Sequence, residues 1–189
     1  MTGRITATVF LVVAVVVSSG SASAALINNG GGLIYDTSLN ITWYDYNPGP
    51  MTWSEAMSWA STLTVGNTAA GTWSLPTTPG TAIGFVDEGQ MAELYYDELQ
   101  GVAGGPLTDT SPFTTLQLSF YWSSTSFPNY AWYFYFGGGL QAPGYEGYSY
   151  YALAVHSGDV GAPVPIPGAV LLFTSGLVLL ATTRRRSKN

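Results

Sequence analysis

Cysteine is absent from the 189 residues. No disulfide can staple the chain, and neither thiol chemistry nor a Cys-bound metal is open to it. Cations are almost as scarce. Lys+Arg total 5, and all of them sit near the ends, as Arg4, Arg184, Arg185, Arg186 and Lys188. The 11 acidic residues all fall between Arg4 and Arg184, so that interval has no lysine or arginine beside its carboxylates and a single histidine, His156. Nucleic acids and sulfated or phosphorylated polymers are bound by exchanging their counterions for protein cations, and this interval has none to exchange. Neutral glycans, divalent cations and other proteins remain as partners. Acidity by itself also keeps an exported protein soluble and monomeric.

Sequence frames for catalysis and metal binding are missing too. No G-x-S-x-G frame accompanies His156, and no D-x-[DN]-x-[DN]-G calcium loop accompanies the acidic residues. Asp87, Glu88, Glu93, Asp97 and Glu98 have the spacing of a solvated helix face, and His156 reads as a polar residue at a strand end. Any two carboxylates of an exported domain can in principle face each other across a glycosidic bond, but the spacing singles out no pair. A secreted glycan-active enzyme therefore stands as the alternative to a non-catalytic module.

The two ends are built for delivery. Residues 1–24 have a basic start at Arg4, an apolar stretch from Val9 to Val17 and the small-residue site Ala22-Ser23-Ala24, the pattern of a cleaved secretory signal peptide. Residues 25–161 then form one domain. Residues 162–189 run in a fixed order: a Pro-rich joint (Pro163, Pro165, Pro167), an apolar run over 168–183, and a basic end over 184–189. As a helix the apolar run is roughly 24 Å long, just able to cross a hydrocarbon core of about 30 Å. The arginines that follow it place its end in the cytoplasm and the domain outside.

That three-part order resembles the PEP-CTERM class of sorting signals found in Gram-negative bacteria that make extracellular polysaccharide. Val164, Pro165, Ile166 and Pro167 stand where the family has V-P-E-P or its V-P-L-P variant, and Ile166 puts this chain with the variant form. The resemblance implies recognition of this motif and of Arg184, Arg185 and Arg186 by an exosortase, a transpeptidase-like membrane enzyme. The chain would be held first in the inner membrane and then pass to the cell surface or matrix, a substrate and not a catalyst.

Within the domain, Leu33–Asp36 and Ile41–Tyr44 read as a hairpin joined by the polar turn 37–40, after a Gly-rich lead-in over 28–32. Thr52-Trp53-Ser54-Glu55 is a capping box. It opens a helix to about Leu63 whose buried stripe is Trp53, Ala56, Met57, Ala60 and Leu63. After the short, Pro-terminated Trp73-Ser74-Leu75-Pro76-Thr77, Asp87 with Gln90 predicts the start of a second helix burying Met91, Leu94, Tyr95 and Leu99. Three aromatic strands follow, over 120–125, 131–136 and 149–155.

The series T-W-x-E-A, W-x-L-P-T, Y-W-S-S-T and A-W, carried by residues 52–56, 73–77, 121–125 and 131–132, resembles the DUF1566 domain, also called the Lcl C-terminal domain. The resemblance covers roughly residues 33–157. It implies an α+β, C-type-lectin-like mixed fold with two helices and a mainly antiparallel sheet, to which the tail adds a C-terminal transmembrane helix. Relatives include formylglycine-generating-enzyme-like domains, whose cysteines are absent here, and some members bind polymeric glycans. Ser74 and His156 stand where the family has arginines, so binding of sulfated glycans does not carry over. The E-P-N and W-N-D triplets of calcium-dependent lectins are absent as well.

Sugar rings stack their apolar faces on aromatic side chains while polar groups bond their hydroxyls. The Gly-rich segment 137–147, with Tyr145 and the flanking Tyr135, Tyr148 and Tyr150, is the candidate surface for a neutral exopolysaccharide. Strand alternation puts Trp132, Phe134 and Phe136 on one face and Tyr133 and Tyr135 on the other. Trp122, Trp132 and Phe134 are expected in the core, and Tyr135, Tyr145 and Tyr148 as glycan contacts. No cofactor is expected.

Overall fold

The computed structural model describes residues 25–161. The signal segment 1–24, the sorting residues Val164, Pro165, Ile166 and Pro167, the apolar run 168–183 and Arg184, Arg185 and Arg186 lie outside the described residues. Among those described, no helix is long and apolar enough to cross a membrane.

The chain builds an α+β fold with two antiparallel sheets. One is five-stranded, in the order β1-β2-β3-β8-β4, from β1 (Leu26–Gly30), β2 (Leu33–Asp36), β3 (Ile41–Tyr44), β4 (Trp73–Ser74) and β8 (Ala154–Ser157). The other is three-stranded, from β5 (Phe120–Phe127), β6 (Tyr130–Tyr135) and β7 (Leu140–Tyr145). Residues 150 and 151 join the pieces. Tyr150 bridges to Met51 and Tyr151 bridges in parallel to Tyr121.

Period-two alternation decides which core each strand residue enters. Ile34, Trp43, Tyr121, Phe134, Leu153 and Val155 pack into one cluster with Met91, Leu94 and Tyr95. Their immediate neighbours Leu33, Trp122, Ala152 and Ala154 pack into a second cluster with Ala56 and Ala60. Successive side chains point to opposite faces, so the strands form a layer with α1 (Trp53–Thr62) on one side and α2 (Gln90–Glu93) on the other. Alanines at 56, 60, 131, 152 and 154 bring the α1 side close, and the tryptophans Trp73 and Trp122 fill what remains. Burying a side chain of that size is worth at least about 1.5–3 kcal/mol.

The hairpin β2–β3 has Ile34 opposite Trp43 and Asp36 opposite Ile41. Its turn is closed by the Asp36 carboxylate, which accepts the Ser38 and Leu39 amides at 3.0 and 3.1 Å, a side-chain mimic of a backbone turn. At the start of α1 the Glu55 carboxylate accepts the Thr52 amide at 2.9 Å and the Thr52 hydroxyl at 2.7 Å.

The second helix departs from expectation. It starts at Gln90, capped by Gly89 and not by Asp87, and after Glu93 it widens into a π-helical turn over Leu94–Glu98. Gln90 is engaged elsewhere: its Oε1 accepts the Thr77 amide at 2.8 Å while its own amide donates to the Thr77 carbonyl at 3.2 Å. The buried stripe Met91, Leu94, Tyr95 and Leu99 is as expected. Three strand assignments also change. β1 runs from Leu26 into the lead-in, the Gly-rich segment contains β7, and the last strand begins at Ala154, residues 150 and 151 making only single bridges.

Candidate functional site

In the Y-W-S-S-T stretch Tyr121, Trp122 and Ser123 are buried and Ser124 and Thr125 half-buried. Trp122 Nε1 donates to the Met51 carbonyl at 2.9 Å, and the Ser123 carbonyl accepts Trp53 Nε1 at 2.9 Å. The Ser123 and Thr78 hydroxyls lie 3.2 Å apart, buried, and the Thr125 hydroxyl donates to the Thr78 carbonyl at 2.7 Å. Its role in the fold is to sew β5 to residues 76–78. Trp132 and Phe134 are buried as alternation requires.

Most of the exposed aromatics, Tyr46 and Phe85 excepted, belong to one continuous run. Phe127 stacks on Tyr130 with centroids 5.5 Å apart, Tyr130 meets Tyr145 at 6.3 Å, Tyr145 meets Tyr148 at 5.9 Å, and Tyr148 meets Tyr150 at 6.0 Å. From Tyr150 the run continues to Phe120 at 5.2 Å, which stacks on Tyr135 at 4.6 Å. Tyr145 and Tyr148 are 52% and 55% exposed, and Phe120 and Tyr130 are 36% and 44% exposed. Tyr135 and Tyr150 are half-buried. The structure therefore brings together all three expected contacts, Tyr135, Tyr145 and Tyr148.

Phe120, Phe127 and Tyr130 belong to the same run and were not singled out by sequence. Tyr130 and Tyr145 are register partners at the open end of the β6–β7 pair. Knowing that 140–145 is a strand would have been enough to find that pairing. Residues 145–148 form a tight turn, with the Tyr148 amide on the Tyr145 carbonyl at 2.9 Å.

Glycine explains why the rings lie as they do. A Cβ at Gly147 would come 2.7 Å from the Tyr145 ring, and one at Gly144 would come 3.0 Å from Tyr133 and 3.1 Å from Tyr150. The rings lie directly against glycine backbone, which lets them approach this closely and holds them in place. Burial raises the phenol pKa of Tyr150 above its ordinary value, with smaller contributions from Tyr133 and Tyr148. Burial raises that of Tyr133 as well. Both hydroxyls stay neutral at physiological pH and can donate and accept.

Among the acidic residues Asp36, Glu93, Asp97 and Glu98 lie near one another. Among the described residues no group of three or more His, Asp or Glu is placed to hold a metal ion. His156 lies on β8 with its ring 5.2 Å from that of Trp73, and its Nδ1 is 2.6 Å from the Ser157 carbonyl. Ser38 touches both Asp36 and Glu98, at 2.6 and 2.7 Å. Comparison with protein-family models, with curated proteins and with solved structures returns no match for this chain.

Proposed function

We propose that this chain is a non-enzymatic exported protein, substrate of an exosortase-type sorting enzyme, whose domain 25–161 has a C-type-lectin-like character. The domain works at the cell surface or in the exopolysaccharide matrix, where it binds neutral glycans. The observation that supports the glycan part best is the continuous run of exposed and half-buried rings from Phe127 to Tyr135. Rigid aromatics bind with little loss of conformational freedom, and a surface without lysine or arginine favours an uncharged polymer over an anionic one. What supports the export part is the order of the signal peptide, Pro motif, apolar run and arginines in the sequence.

The test is co-sedimentation of the full-length chain, in detergent, with insoluble neutral polysaccharides. Retention that disappears when Tyr145 and Tyr148 are both changed to alanine supports the reading. No retention on any neutral glycan removes it, and shortened oligosaccharides in the supernatant establish the enzymatic alternative. Mass spectrometry of the C-terminus of cell-surface protein tests sorting, since an intact Arg184-Arg185-Arg186 there means a permanent anchor.

A further inference from the structure

We infer that the preferred ligand of the aromatic run is a glycan bearing free amino groups, an amino-sugar polymer with some or all of its nitrogens unacylated. The inference rests on the glycan reading above and shifts the preferred chain from an uncharged glycan to one that carries ammonium groups.

The starting point is charge compensation. None of the 11 carboxylates has a lysine or arginine within residues 25–161 to pair with. A charge of one sign left without internal partners raises a field over the whole surface and concentrates ligands of the opposite sign. The carboxylates run along the chain from Asp36 to Asp159, with Asp36, Glu93, Asp97 and Glu98 near enough to influence one another, and among the described residues no three are placed to hold a metal ion. An extended ligand with charge at intervals along its length matches that spread better than a point ion does.

One of these carboxylates lies within the aromatic run, and a second sits at the helix start that its backbone touches. Glu146 occupies the turn between Tyr145 and Tyr148, half-buried and fixed by its backbone: its amide donates to the Asn129 carbonyl at 3.3 Å and its carbonyl accepts the Trp53 amide at 3.1 Å. Trp53 is the first residue of α1, and the Glu55 carboxylate, two residues on, folds back onto Thr52 at that same helix start. Hydrogen bonds from Thr52 hold Glu55 below the usual glutamate range, in its charged form.

The rings act in the same direction. A tyrosine face carries negative potential and attracts an ammonium group, by about two- to five-fold in affinity per exposed ring. Several such rings in line, with a carboxylate among them, give an amine-bearing sugar an advantage at each contact. Acylating the nitrogen removes the charge and the advantage together, while stacking of the sugar ring is retained.

The experiment measures binding of the full-length chain, in detergent, to glucosamine hexamer, N-acetylglucosamine hexamer and a glucose hexamer at low and high salt. The expected result is about ten-fold tighter binding of the glucosamine hexamer at low ionic strength, an advantage that shrinks as salt screens it. Glu146→Gln should lower that advantage about two- to five-fold and leave the other two ligands unaffected. Tyr145→Ala should weaken all three. Equal affinity for the three hexamers overturns this inference and leaves the neutral-glycan reading standing, whereas no binding of any removes both. Amine binding that is indifferent to Tyr145→Ala, or matched by a lysine homopolymer, also overturns it, because charge alone would then suffice.

Discussion

Asp36 and Trp43 meet diagonally across the β2–β3 hairpin, both without solvent exposure, and the indole Nε1 donates to Oδ2 at 3.1 Å. The other carboxylate oxygen holds the turn amides of Ser38 and Leu39. A buried carboxylate without a cation is tolerable only because N–H and O–H donors surround it. Asp36→Ala strands the indole and both amides and should cost about 3 kcal/mol. Asp36→Asn, which keeps one acceptor, should cost about half as much. Urea unfolding followed by tryptophan fluorescence measures both.

Asp45 performs a similar task for a loop. Its carboxylate accepts the Thr114 amide and hydroxyl at 2.6 and 2.8 Å, and the Thr115 amide and hydroxyl at 3.0 and 2.7 Å. Asp45→Ala should lower stability by about 2 kcal/mol. It should also release residues 109–116, which appears as faster cleavage there in limited proteolysis with the rest of the domain intact.

Hydroxyl and amide ties of this kind leave little trace in a sequence, and what was legible followed from pattern strength. The β2–β3 hairpin and α1 show clean alternation and a capping box, and both stand where expected. β7 was missed because LQAPGY, with its proline and glycine, has poor strand propensity. It forms because β6 offers a complete edge for register pairing from Tyr130 to Tyr135. The helix after Gly89 starts late because Gln90 serves residue 77, a contact that no local signal announces. In the candidate site the tyrosines of the Gly-rich segment were visible. Phe120, Phe127 and Tyr130 read as ordinary strand residues until the cover over each face was known.

Gly89 has φ +100, and a Cβ there would lie 3.0 Å from Pro79 Cδ, 3.1 Å from the Thr77 carbonyl and 3.1 Å from Thr78 Cα. Two of these contacts are backbone and cannot turn away. Gly89→Ala should cost about 2 kcal/mol and separate α2 from residues 77–79. Hydrogen exchange should show the loss first at the Gln90 amide, which Thr77 now protects.

Stability should rise on mild acidification. Burial raises the pKa of Glu93, with Asp97, Asp36 and Glu98 adding to it. Burial likewise raises Glu98, partly offset by the Ser38 hydrogen bond. A carboxyl whose folded pKa exceeds its unfolded value binds more protons when folded, so stability falls as pH rises through that window and is regained as pH drops. Glu55 and Asp109 behave oppositely. Hydrogen bonds from Thr52 and Ser111 lower their pKa values, and the stability they give is lost as pH falls through those lowered values. Melting temperature should therefore climb as pH falls from neutral through the raised Glu93 and Glu98 values, and drop at still lower pH as Glu55 and Asp109 take up protons. Glu98→Gln should flatten the climb.

Tyr145 and Tyr148 are exposed, so replacing both with alanine should change stability by about 0.5 kcal/mol or less. Loss of glycan retention with an unchanged melting curve would separate a binding role from a packing one.

The end of the described chain is fastened to its beginning. Asn29 Nδ2 donates to Asp159 at 2.6 Å and to the Val160 carbonyl at 2.9 Å. The Thr42 hydroxyl donates to the Gly158 carbonyl at 2.7 Å and accepts the Val160 amide at 2.9 Å. Traction applied through residue 161 would therefore enter along β8, which is flanked by β3 and β4, and would load those strands in shear with several bonds sharing the force. A domain tethered at that corner can be tugged by whatever it grips without peeling open from its point of attachment.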